Sequence, residues 1–186
     1  MTLIIGIGNK AQNGKDSAGE AVVDYYDQKN ALQYKHSLPP SGPTVKLHKF
    51  AAALYDIARK EYGMTVKDAP LLQRIGQERR QENLNYWVDK MFASIQPTTD
   101  IAVITDVRYL NEAAAIKAKG GYLVNVTRLN PDGTQYITND RPADHPSETE
   151  LDGYNWDFHL INSHGHRALL AQQAITLVEY LRALHS

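Results

Sequence analysis

The sequence predicts a three-layer α/β fold around a central, mostly parallel sheet. Three observations predict it. Short apolar runs alternate with stretches at helical spacing along much of the chain. The run IAVITDVR, residues 101–108, is apolar until its charged end, as a strand covered by helices on both faces requires. From 101 to 128 the order reads strand, helix, strand, the unit from which parallel sheets are built. With 186 residues and 42% hydrophobic content, one core suffices, so a single domain over 1–186 is expected.

The elements follow in order. Leu3 to Ile7 reads as the first strand, and Ser17 to Tyr26 as a helix reached through a small polar loop. Residues 27–44, polar and rich in proline and glycine towards their end, read as a loop or insertion. Val45 to His48 gives a short second strand. Phe50 to Tyr62 has helical apolar spacing, and Gly63 stands at the C-cap position. Pro70 to Ile95 holds one or two helices that direct Leu71, Leu72, Ile75, Trp87, Val88 and Met91 to a core. After the strand at 101–108, NEAAAIKAKGG reads as a helix with a glycine stop, and YLVNVTR as another strand. Residues 129–150 form a long polar segment, the length of a lid or substrate segment. FHLIN is the last strand, and Arg167 to His185 a closing amphipathic helix.

Composition excludes several function classes. A formal charge of −1 and a pI near 6.6 lack the basic surplus of a duplex-binding protein, so no nucleic-acid partner is expected. With no cysteine, disulfides, thiolate metal sites and thiol catalysis are all ruled out. No apolar run is long enough to span a bilayer, and the N-terminal run is too short for a signal peptide. The expectation is a soluble cytoplasmic protein.

The stretch NKAQNGKDSAGE, residues 9–20, carries the main functional signal. A polar loop between a strand and a helix faces the helix's unpaired first amides and the positive end of its dipole, which makes it an anion site. Against the phosphate-loop pattern GxxxxGK[ST], Gly14 and Lys15 match, while Asn9 takes the first glycine position and Asp16 the Ser/Thr position. Asn13, Gly14, Lys15, Asp16 and Ser17 are therefore the ATP-binding candidates. Asp16 beside a phosphate chain calls for a divalent cation, so Asp16 and Ser17 are Mg²⁺ ligand candidates. The competing reading is a glycine turn capped by Asp16 or Ser17.

A second constellation is TDVR. Ligands of open α/β sheets sit beyond the carboxyl ends of the strands, where Asp106 and Arg108 fall. Asp106 is the second metal candidate and Arg108 a bidentate phosphate grip; the competing reading makes Asp106 a helix cap or a salt-bridge partner of Arg108. Arg74, Arg79 and Arg80 are candidates for binding an acceptor phosphate. Trp87 could stack on a base, although aromatics at helical spacing usually pack in cores. Glu112 is a substrate candidate on the next helix, where packing or pairing is the favoured reading. Arg128 and Arg141, near and within the polar segment, are lid candidates able to close on a transferring group. The seven histidines show no spacing typical of zinc.

Four stretches read together, NGKDS, IGQERRQENLNYWVDKM, ITDVRYLNEAAAIKAKGGYLVNVTR and RPADHPSETELDGYNWDFHLIN, resemble the phage-type deoxynucleoside monophosphate kinases over most of the chain. The resemblance is thin only between about 27 and 44. It implies a P-loop NTPase fold of the nucleoside-monophosphate-kinase kind, ATP with Mg²⁺ and a deoxynucleoside monophosphate as partners, and a cytoplasmic location, that of the host for a phage protein. A homodimer is the candidate assembly. Lys15, Asp16, Asp106, Arg108 and Arg80 fall on motif positions of the catalytic set, and Ser147 with Glu148 match a late SE pair whose role spacing does not explain. Two departures stand out: Asn9 in the loop, and Ala52 and Tyr55 where related sequences carry the aspartate and lysine of FADxLK. The expected reaction is transfer of the γ-phosphoryl group of ATP to a dNMP, giving dNDP and ADP. Two rivals stay open: a kinase for another acceptor, either a small phosphorylated molecule or a modified base in DNA, and a nucleotide-binding protein without turnover.

Overall fold

The computed structural model describes residues 2–36, 38, 39, 42–138, 142, 144–163 and 166–185. In chain order the elements are β1 (Leu3–Gly8), α1 (Lys15–Lys35), β2 (Val45–His48), α2 (Ala51–Tyr62), α3 (Ala69–Glu82), α4 (Tyr86–Ala93), β3 (Ile101–Val107), α5 (Leu110–Ala118), β4 (Tyr122–Leu129), α6 (Pro146–Thr149), β5 (Phe158–Ser163) and α7 (Arg167–Leu184). The strands form one sheet in the order β2-β3-β1-β4-β5, and all four pairings are parallel.

Side-chain alternation along the strands builds the layers. Leu3, Ile5 and Ile7 of β1 pack with Val103 of β3 against Val22 and Tyr26 of α1 and Leu170, Val178 and Leu181 of α7. On the opposite face, Ile4, Ile104 and Val107 meet Met91 of α4, Ile116 of α5 and Trp156. β3 is buried at every position but Asp106, as its continuous apolar run predicts. A third cluster of Ala58, Leu72, Ile75 and Trp87 joins α2, α3 and α4. Fully burying each large aliphatic side chain contributes about 1.5–3 kcal/mol, so these apolar faces hold the layers together.

Two expected loops hold regular structure. α1 continues beyond Tyr26 to Lys35, which corrects the reading of 27–35 as loop. Past Tyr26 most residues are exposed and the apolar period fades, yet DQKNALQYK contains no helix breaker. Asn30 ties the returning chain to the helix, accepting from the Gly42 amide and donating to the Pro43 carbonyl. Within 129–150, Leu129 bridges antiparallel to Gln135 in a hairpin turned at Asn130 and Gly133, and α6 follows. Arg141 lies outside the described residues. The 70–95 region is two helices, α3 and α4, broken at Asn83 in extended conformation.

β1 sends α1 across one face towards β2, whereas β3 sends α5 across the other face towards β4. These diverging connections leave a crevice beyond the carboxyl ends of β1 and β3. Among the described residues no helix is long and apolar enough to cross a membrane.

Candidate active site

The crevice is floored by the turn from β1 to α1. Positive φ angles at Asn9 (99°), Gln12 (58°) and Gly14 (103°) curl this loop. Asn9, at the position where the pattern has glycine, is pinned by its side chain, which donates to Asn125 Oδ1 at 2.6 Å. Gly14 is the N-cap of α1, and a Cβ there would lie 2.7 Å from Asn162 Nδ2 and 2.9 Å from Leu170. Strain and collision together predict that Gly14→Ala lowers the unfolding free energy by about 1–3 kcal/mol, measured by urea denaturation. An unchanged midpoint would contradict this loop geometry. The first intrahelical bond runs from the Ala18 amide to the Gly14 carbonyl, so the preceding amides of α1 have no partner within the helix.

Lys15 lies buried in this loop, its Nζ donating to the Lys10 carbonyl. Burial, with the Arg108 charge adding to it, brings the Lys15 pKa down to about 7, while Glu148, Asp16 and Asp106 oppose the shift. The ammonium is therefore poised to gain from an incoming anion.

Arg108 follows β3 and forms a short ion pair with the buried Glu148 carboxylate of α6. The other Glu148 oxygen accepts from the Ala11 amide at 2.8 Å, and the Glu148 carbonyl accepts from Lys10 Nζ at 2.7 Å. Lys10 also pairs with Asp152 at 2.7 Å. Glu148 thus clasps the β1–α1 loop and Arg108 in one network. Beneath it Trp156 presses on Gly8, where a Cβ would come within 2.3 Å of the indole.

Asp16 Oδ1 accepts from the Thr105 hydroxyl at 2.7 Å and pairs with Lys49 Nζ at 2.7 Å. Burial works to raise its pKa, but these two donors outweigh burial and hold the carboxyl below its usual value. Asp106 takes the Phe50 amide on one oxygen (2.8 Å) and the Ala51 amide on the other (2.9 Å), capping the start of α2. Its pKa is raised by burial, against the pull of those amides. Asp16, Ser17 and Asp106 all line the cleft and offer hard oxygen donors. Among the described residues no three His, Cys, Asp or Glu side chains gather as a metal cage. A sparse oxygen set fits Mg²⁺, which keeps waters and relies on one or two carboxylates plus substrate phosphates.

The cleft measures about 720 Å³ and is further lined by Gln12, Arg128, Asn162, Arg167 and Leu170. Arg128 stacks 4.0 Å from the Tyr136 ring centroid, and the Tyr136 hydroxyl donates to Gln12 at 2.8 Å, so the hairpin leans on the loop. Asn162, at the end of β5, donates to the Asn13 carbonyl; the Asn13 side chain is buried.

Other expected substrate residues lie elsewhere. Trp87 is core, its Nε1 donating to the Gly76 carbonyl, and does not reach the cleft. Glu112 is buried, accepts from the Arg108 and Tyr109 amides and caps α5. Burial, reinforced by the Asp106 charge, pushes its pKa up to about 8. Arg74 is exposed over Tyr62, and Arg79 pairs with Glu61 and Glu82, so neither lines the cleft. Arg80 stacks 4.3 Å from the Tyr109 ring centroid, next to Arg108 in sequence.

Sequence reasoning passed over Lys49, Thr105, Asn162 and Arg167. The carboxyl-end rule that found Asp106 would have found Lys49 and Asn162, since each stands at the end of a strand. The role of Glu148 carried no local signal, because its partners Ala11 and Arg108 are distant in sequence.

Fold and cleft together define a three-layer α/β protein with a cationic crevice where the strand order reverses. No protein-family model matches the chain, and no curated protein matches it. Among solved structures, an unliganded sugar kinase from Janibacter sp. HTCC2649 aligns over 96% of this chain and 95% of its own, at 11% identity and a TM-score of 0.45. A likeness at that level decides nothing about the reaction.

Proposed function

We propose that the protein transfers the γ-phosphoryl group of ATP to a deoxynucleoside monophosphate. The observation that carries this reading is Lys15, buried at the floor of the cleft beside the first amides of α1, with Arg108 and Arg128 on the walls. Phosphoryl transfer asks a protein mainly to position the phosphates and stabilise their charge. Lys15 and the loop amides would hold the terminal phosphates of the donor. Arg108, fixed by Glu148, would steady the charge of the transferring group, and Arg128 would close from the hairpin. Asp16, Ser17 and Asp106 would hold Mg²⁺, which supplies further neutralisation of phosphate charge when bound. The dNMP acceptor rests on the sequence resemblance, carried by DVRYLNEA and the late SE pair.

The test measures ADP formation from Mg-ATP against a panel of dNMPs and NMPs, with no-acceptor and Lys15→Ala controls. Acceptor-dependent ADP, greatest with a dNMP and lost in the variant, is expected. ATP binding without acceptor-dependent ADP would overturn the transfer reading and leave a nucleotide-binding protein.

A further inference from the structure

We propose that Lys49 is a resident counter-cation: it holds Asp16 while the cleft is empty, yields that carboxylate to the divalent cation, and then faces the anionic acceptor. The proposal rests on the phosphoryl-transfer reading of the cleft. Lys49 directly follows β2, so it stands at the carboxyl edge of the sheet on the β2 side. Its Nζ lies 2.7 Å from Asp16 Oδ1, the same oxygen that accepts from Thr105. A dication bound at Oδ1 must displace the ammonium, and one bound at Oδ2 would face it across a single carboxylate. Ammonium and metal therefore compete for Asp16.

Lys49 can leave. Its side chain is 37% exposed and Asp16 is 58% exposed, so release does not strand a buried charge. Once released, it stays in the field of Asp106 and Glu20 on the β2 flank. The opposite flank, by β4 and β5, has its own cations, Arg128 and Arg167, and the apolar Leu170 that suits the donor nucleoside. In-line transfer brings donor and acceptor to opposite sides of the phosphoryl group. The β2 flank, and with it Lys49, is left for the acceptor's phosphate.

Two readings on Lys49→Gln test this, with Lys49→Arg and Lys49→Met alongside and far-UV circular dichroism to confirm folding. In Mn²⁺ titrations without nucleotide, Lys49→Gln and Lys49→Met should bind the ion about fivefold more tightly than wild type, while Lys49→Arg stays near wild type. In transfer assays, Lys49→Gln should raise the acceptor KM about tenfold with the ATP KM unchanged. Mn²⁺ affinity that is unchanged or weaker overturns the hold on Asp16, and an unchanged acceptor KM overturns the acceptor contact. If wild type transfers to no acceptor, the kinase reading falls and with it the acceptor contact, while the Mn²⁺ titration still decides the Asp16 contact.

Discussion

Lys15→Ala is expected to lower phosphoryl transfer by about three orders of magnitude or more while leaving the circular dichroism spectrum intact. The side chain is buried where the loop amides and the α1 dipole converge. Its lowered pKa adds a pH signature. Between about 7 and the ordinary lysine value of 10.5 the empty folded protein has shed a proton that the unfolded chain retains. This group therefore opposes folding most strongly below pH 7, and its penalty fades as pH rises through that window. Lys15→Met, which removes the titration, should stabilise the empty protein most below pH 7, and the gain should shrink towards pH 10. Phosphate binding reverses the shift, so nucleotide should bind with proton uptake near pH 8. Calorimetry in two buffers of different ionisation enthalpy measures that uptake. Transfer that survives in Lys15→Ala, or binding without linked protons, would remove Lys15 from the site.

The largest stability effect is expected at Glu148. Glu148→Ala leaves Arg108 without its carboxylate and the Ala11 amide without an acceptor, at a cost of about 3–5 kcal/mol in urea unfolding. Glu148→Gln, which can still accept from Ala11, should cost less. Because Arg108 and Glu148 share one contact, the double substitution with Arg108→Ala should cost clearly less than the sum of the two. Strict additivity, or a loss under about 1 kcal/mol for Glu148→Ala, would show that the clasp does not hold the loop.

What the sequence revealed depended on whether the causes were local. β3 was legible because both its faces are apolar, and α2 because Gly63 ends it with φ 67°. The loop from Asn9 to Lys15 was legible from the order of strand, loop and helix. The second half of α1 was not, since it packs little and so lacks the apolar period that marks a helix. For Trp87 and Glu112 residue type left two uses open, since types suited to substrate binding also fill a core or cap a helix, and burial separates the uses. The pairing of Lys49 with Asp16 spans two strand ends that become neighbours only once the sheet is ordered.

The clasp on the loop also bears on how the protein is made. The groups that fix the loop's shape, Glu148 and Trp156, are synthesised long after the loop itself. A ribosome adding residues in order exposes the early strands well before that anchor exists. The nascent turn between β1 and α1 is therefore without its scaffold at first, and takes its folded shape only after Glu148 and Trp156 have been added.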